Sequence, residues 1–149
     1  MTPISASSLP FFVSGRVVKG FGRGSKDLGY PTANISSDVV EQVSLENGIY
    51  CGFARLRNVI YVMTCSLGFN PQYSNTAKSL EVHLLPDTLE DFYGEELAIV
   101  IVDRLREEKR FSSLQQLKDA IREDNEHAIA RLASHSFDPI KQQLLLFTS

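Results

Sequence analysis

The sequence predicts a mainly β fold, one antiparallel barrel with a helical cover at its C-terminal end, and three observations lead there. From Phe11 to Arg106, short runs of β-branched and aromatic residues are separated by Gly, Pro, Asn and Asp, the punctuation of antiparallel strands. No helical period interrupts these runs, so the sheet must protect its own edges, by closing into a barrel or stacking as a sandwich. After Phe111 the period lengthens to that of a helix: Leu114, Leu117, Ile121, Ala128 and Leu132 form one stripe that should pack on the barrel.

Taken in order, the expected strands are Phe11 to Val18, Thr32 to Ile35, Gly48 to Leu56, Val59 to Leu67, Ser79 to Leu85 and Leu97 to Leu105. In Leu80-Glu81-Val82-His83-Leu84-Leu85, alternation puts Leu80, Val82 and Leu84 on one face and Glu81, His83 and Leu85 on the other. A carboxylate and an imidazole therefore share a face. Ser112, followed three residues later by Gln115, has the form of a capping box that opens the long helix. Asp138 before Pro139 predicts a second N-cap with proline at the first helical position, leading Ile140, Leu144 and Phe147 into a short closing helix. With no internal repeat and no low-complexity linker, residues 1–149 are expected to form a single domain, the barrel at about 11–106 and the helical part at about 112–147.

Composition narrows the function classes. A chain of 149 residues with 43% hydrophobic composition can bury one core. Its formal net charge of −3 speaks against nucleic acid or an anionic membrane as partner, so an anionic ligand would have to be held by local groups. Cys51 and Cys65 lie in apolar stretches without metal-ligand spacing, which reads as buried reduced thiols in a reducing compartment. Met1 to Pro10 lacks a basic start and a continuous apolar region, and no run reaches the length of a membrane span. The expectation is a soluble, cytoplasmic monomer that works on small molecules.

Two segments carry chemistry. In Gly15-Arg-Val-Val-Lys-Gly20-Phe-Gly22-Arg-Gly24-Ser-Lys26, three glycines at alternate positions follow a strand, which lets the backbone approach a ligand and aim N–H groups at an anion. The loop is neither a Walker A motif nor a dinucleotide fingerprint, and a hairpin with surface bases explains it equally well by itself. In Gly29-Tyr30-Pro31-Thr32-Ala33-Asn34, proline holds Tyr30 extended, and Thr32 and Asn34 project to one side of a short strand. A hydroxyl and an amide carbonyl there can complete a Mg²⁺ shell whose other ligands are nucleotide phosphates and water. An ordinary turn before an edge strand is the plainer alternative.

Gly15-x-Val-Val-x-Gly20-x-Gly-Arg-Gly24, Leu28-Gly-x-Pro-Thr-Ala-Asn34, Gly48-x-Tyr-x-Gly52, Ser66-x-Gly-x-Asn-Pro71, Glu81-x-His83 and Asp91-Phe-Tyr-Gly94 stand in the order found in riboflavin kinases. Over roughly Phe12 to Leu132 the chain resembles that family, in the single-domain form found in eukaryotes, without the nucleotidyltransferase domain that precedes the kinase in bifunctional bacterial relatives. The resemblance implies a six-stranded Greek-key barrel with a C-terminal helix, ATP at the glycine-rich loop, and flavin near the barrel end and the helix. The implied activity is ATP:riboflavin 5′-phosphotransfer, with Mg²⁺ as cofactor and FMN as product.

Carried onto this sequence, the resemblance gives Thr32 and Asn34 the metal, and Gly20, Gly22, Gly24 and Lys26 the nucleotide phosphates. Glu81 becomes the general base, because a primary alcohol is a poor nucleophile and a carboxylate within reach can take its proton. His83 either orients Glu81 or is a satisfied structural histidine, and the structural role is the favoured one. Tyr93 borders the adenine pocket. Arg106, in the charged run Arg104 to Phe111, would contact the ribityl or phosphoryl end and Phe111 would pack near the isoalloxazine. Relatives often carry proline after that arginine where this chain has Glu107, and charged runs are commonly plain solvated loops. Two other classes compete: a non-catalytic flavin- or nucleotide-binding barrel, set apart by the joint presence of Thr32, Asn34 and Glu81, and a nucleic-acid-binding barrel, disfavoured by the charge.

Overall fold

In a computed structural model, residues 9–18, 33–69, 78–85, 94–109, 111–133 and 136–148 are described. Six strands, β1 (Phe11–Val18), β2 (Ala33–Ile35), β3 (Gly48–Leu56), β4 (Val59–Phe69), β5 (Lys78–Leu85) and β6 (Glu96–Arg106), close into an antiparallel barrel in the order β1-β2-β5-β4-β3-β6. β3, β4 and β5 run as a meander and β6 returns beside β3, which is the Greek-key connection. The expected strands thus form, with ends one or two residues longer for β4, β5 and β6; Thr32 falls outside the described residues. One turn of helix, α1 (Ser37–Val40), was not expected from the sequence, being too short to show a period.

Alternation sorts the side chains. Val17, Ile35, Tyr50, Met63, Leu67, Leu80, Val82, Leu97 and Ile99 fill the interior and are sealed from solvent. Each fully buried side chain of this size stabilises the fold by about 1.5–3 kcal/mol. Cys51, Phe53, Ala98 and Val100 point outward from the same strands, onto α2 (Leu114–Ala133) and α3 (Asp138–Leu146), where Ala128, Leu132 and Leu144 cover them. Gly52 is required on β3 because a Cβ there would stand 1.9 Å from the carbonyl oxygen of Val100.

Three local expectations shift. The cap that opens α2 is Ser113 with Gln116, not Ser112 with Gln115: the Gln116 backbone N–H donates to Ser113 Oγ at 3.1 Å, while Gln116 Oε1 accepts from the Ser112 backbone N–H at 3.1 Å, one residue before the N-cap. Phe137, not Asp138, is the N-cap of α3; Asp138 and Pro139 enter the first turn, and no side chain caps it. Leu114 is half exposed, and the buried stripe of α2 is Asp124, Asn125, Ala128 and Leu132. At its other end α3 is tied to the barrel, with Arg55 Nη1 donating to the carbonyls of Leu144 at 2.5 Å and Leu145 at 3.0 Å. Among the described residues no helix is long and apolar enough to cross a membrane.

Candidate active site

The barrel register assembles the nominated residues into a row. Asn34 of β2 lies opposite Glu81 of β5, Glu81 opposite Ser66 of β4, Ser66 opposite Ile49 of β3, and Ile49 opposite Arg106 of β6. Directly opposed residues on antiparallel strands point to the same face, and because Ile35 and Val82 point in, this row points out. All five members are half-buried, so a ligand can reach them. Glu81 and Asn34, 47 positions apart in sequence, thereby become immediate cross-strand neighbours.

The next row, His83, Thr64, Cys51 and Asp103, belongs to α2 instead. His83 and Thr64 are buried, Thr64 Oγ1 sits 3.2 Å from Asn125 Oδ1 of the helix, and Asp103 pairs with Arg131. His83 is thus set among packing groups, on the same face as Glu81 but one row away. Burial pushes the Cys51 thiol up to about 11, with Asp103 adding to the effect, and pushes Cys65 higher still.

Two β-bulges in β6 break the alternation, between Ile49 and Tyr50 and between Cys51 and Gly52 of its partner strand. The bulge next to Ile101 turns Asp103 outward and Arg104 inward, where Arg104 Nη2 donates to the Asn47 carbonyl at 2.8 Å beside buried Tyr50, and the other restores the alternation, so that Arg106 points outward. The Arg106 guanidinium is gripped edge-on by Asp124 of α2: Nε and Nη2 each donate to one carboxylate oxygen at 2.8 Å, and Nη1 donates to the Glu107 carbonyl at 2.9 Å. Phe111 lies under the same guanidinium, 5.8 Å from ring centre to Cζ. The two residues therefore clamp the loop after β6 to the helix, around a hollow of about 420 Å³ lined by Leu105, Arg106, Phe111, Ala120, Asp124 and His127. That size falls in the range of small-molecule sites. A larger hollow, about 690 Å³, lies between β1, α1 and Phe147, and among the described residues none of the nominated ones lines it.

Asp124 was missed in the sequence, although a signal existed. It takes a turn in the apolar stripe of α2, three residues after Ile121 and four before Ala128, and a carboxylate on a buried stripe needs a partner. Glu108 was missed as well. Its carboxylate rests on the bare backbone of Gly68, where a Cβ would meet Oε1 at 2.0 Å, and burial raises its pKa while Arg106 draws it down. Gly20, Gly22, Gly24, Lys26, Thr32 and Tyr93 lie outside the described residues.

The sequence pattern of the family described as "Flavokinase: Riboflavin kinase" matches residues 7–132 of this chain. The chain belongs to the riboflavin kinase family. It is 49% identical to riboflavin kinase of Homo sapiens over 127 residues, covering 83% of this chain and 82% of that protein. The solved riboflavin kinase of Trypanosoma brucei superposes with a TM-score of 0.66 at 28% identity, over 100% of this chain and 93% of that one. A structure titled as a macrolide-efflux protein from Streptococcus pneumoniae matches with a TM-score of 0.65 at 29% identity over 78% of this chain, which spans 38% of that protein. The closed six-stranded barrel with C-terminal helices is thus the riboflavin kinase fold, and Asn34, Glu81 and Arg106 lie on one face of it.

Proposed function

We propose that this chain is a riboflavin kinase that transfers the γ-phosphate of ATP to the ribityl 5′-hydroxyl, releasing FMN and ADP, with Glu81 as general base. The observation that carries the assignment is the register pairing of Asn34 with Glu81, on the row that leads to the Arg106 loop. Glu81 takes the proton of the attacking hydroxyl, a step that needs only a half-buried carboxylate within hydrogen-bond reach of the acceptor. The flavin ring occupies the hollow under Phe111, and the Asp124 grip on Arg106 holds that loop over it.

Asn34 offers a neutral oxygen beside Glu81, and among the described residues no cluster of three His, Cys, Asp or Glu forms a self-sufficient cation cage. That donor set suits Mg²⁺, held by Thr32, Asn34 and phosphate oxygens. When bound there, the ion would neutralise charge that builds on the transferring phosphoryl group. Backbone amides around Gly20, Gly22 and Gly24, with Lys26, bind the phosphates, and Tyr93 borders the adenine. Incubation of the purified protein with riboflavin, ATP and Mg²⁺, followed by chromatography, tests the reading: FMN and ADP in equal amounts are expected. Bound flavin without turnover would make the chain a binding module.

A further inference from the structure

The base and the flavin hollow are separate places on the outer face. From Glu81 to Arg106 is three strand spacings, roughly 14 Å along the sheet. The acceptor must bridge them, with its ring at the hollow and its terminal hydroxyl at Glu81. Glu108, two residues beyond Arg106, comes back over that gap. A Cβ on Gly68 would stand 2.0 Å from its Oε1 and 2.6 Å from its Oε2, so both carboxylate oxygens face β4. Gly68 lies opposite Ser79, and Ser66 opposite Glu81, which makes Gly68 and Glu81 diagonal neighbours, roughly 7–8 Å apart. The Glu108 carboxylate thus rests over the bare backbone of Gly68, on the strand that lies next to the one carrying the base.

A carboxylate accepts hydrogen bonds and donates none. Among the described residues Glu108 makes no hydrogen bond; its side chain is exposed enough for a ligand to reach, while partial desolvation of the carboxylate raises its pKa and Arg106 draws it down. Such a group calls for hydroxyl or amine donors and repels phosphate, so its ligand is the neutral part of the acceptor and not the nucleotide. We propose that Glu108 is a specificity-determining residue of the acceptor site, its carboxylate taking hydrogen bonds from the secondary hydroxyls of the ribityl chain. The proposal rests on the kinase reading above.

The test compares two acceptors, riboflavin and a flavin whose N10 substituent is a 5-hydroxypentyl chain, which keeps the terminal hydroxyl and lacks the secondary ones. In the wild type kcat/KM favours riboflavin. Glu108→Ala reduces that preference roughly tenfold or more, through loss on riboflavin, as expected when a charged hydrogen-bond acceptor is removed. Glu108→Gln, which keeps one accepting oxygen, falls between. Gly68→Ala, which displaces the carboxylate without altering it, also shrinks the preference. An unchanged preference in folded Glu108→Ala overturns the proposal. So does an equal rise of kcat/KM for both acceptors, the mark of a side chain that merely obstructs the site. Absence of phosphorylation of either flavin by the wild type is a different failure, that of the kinase reading itself.

Discussion

Along β5, Leu80, Val82 and Leu84 are sealed inside the barrel, while Glu81 between them stands half-buried outside. The two faces of the same strands have different tasks. The interior is apolar and its members are fully desolvated, so its contribution is burial. The outer face divides again, into a part capped by Ala128, Leu132 and Leu144 and a part left reachable, where Asn34, Glu81, Ser66 and Arg106 stand in line. Polar groups are placed where a ligand can solvate them, and the apolar remainder is covered by helices. Stability and chemistry should therefore separate under mutation.

The largest effect is expected inside. Met63 is fully buried in the interior, and Met63→Ala should lower unfolding stability by about 2–5 kcal/mol through lost burial and a residual cavity. The folded fraction should keep its kcat, measured at a temperature well below the melting midpoint. A specific loss of kcat would show that the interior also tunes the site.

Glu81→Gln is the converse, since it keeps shape while removing the base. Rate should fall roughly 10²- to 10³-fold, toward the lower end for a loose phosphoryl-transfer transition state, with flavin affinity by fluorescence quenching and the melting temperature little changed. Turnover within a few-fold of wild type would move the proton acceptor elsewhere.

Asp124 tests the border between the two faces. Its side chain is 9% exposed and that of its partner Arg106 19%, so Asp124→Ala strands a partly buried guanidinium. A loss of about 2–3 kcal/mol is expected in denaturant titration, somewhat below that for a fully buried pair, together with a higher riboflavin KM as the loop loses its anchor. Unchanged KM would make the pair a matter of stability alone.

The smallest effect is a pH dependence at Glu108. Its folded pKa is raised, above all by burial, so between the unfolded value of 4.5 and the raised one the native state holds more proton than the unfolded state. This group's contribution to stability thus declines as pH rises through that window. Glu108→Gln should consequently melt slightly higher than wild type at pH 7, and the difference should vanish as pH falls below the unfolded value. A difference that grows on acidification would contradict the assigned direction.

Much of this was written along the chain. The limits of β1 and β3, the inward Leu80, Val82 and Leu84, the outward Glu81 and His83, and the long C-terminal helix all follow from alternation, helical period and turn residues. The capping box missed by one residue because Ser112 and Ser113 with Gln115 and Gln116 offer two overlapping patterns, and only the Gln116 hydrogen bonds choose between them. The inward turn of Arg104 was illegible, since the bulges that reverse it depend on how β6 pairs with β3.

What the sequence determined by itself is local: which residues favour extended or helical backbone, and which side of each strand is apolar, because these depend on neighbours two to four positions away. Pairing register is a relation between distant segments, and the closed barrel settled it by requiring every strand to be satisfied on both edges at once. That requirement set Asn34 against Glu81, placed Arg106 in their row, and brought Asp124 and Glu108 to positions that no short-range pattern encodes.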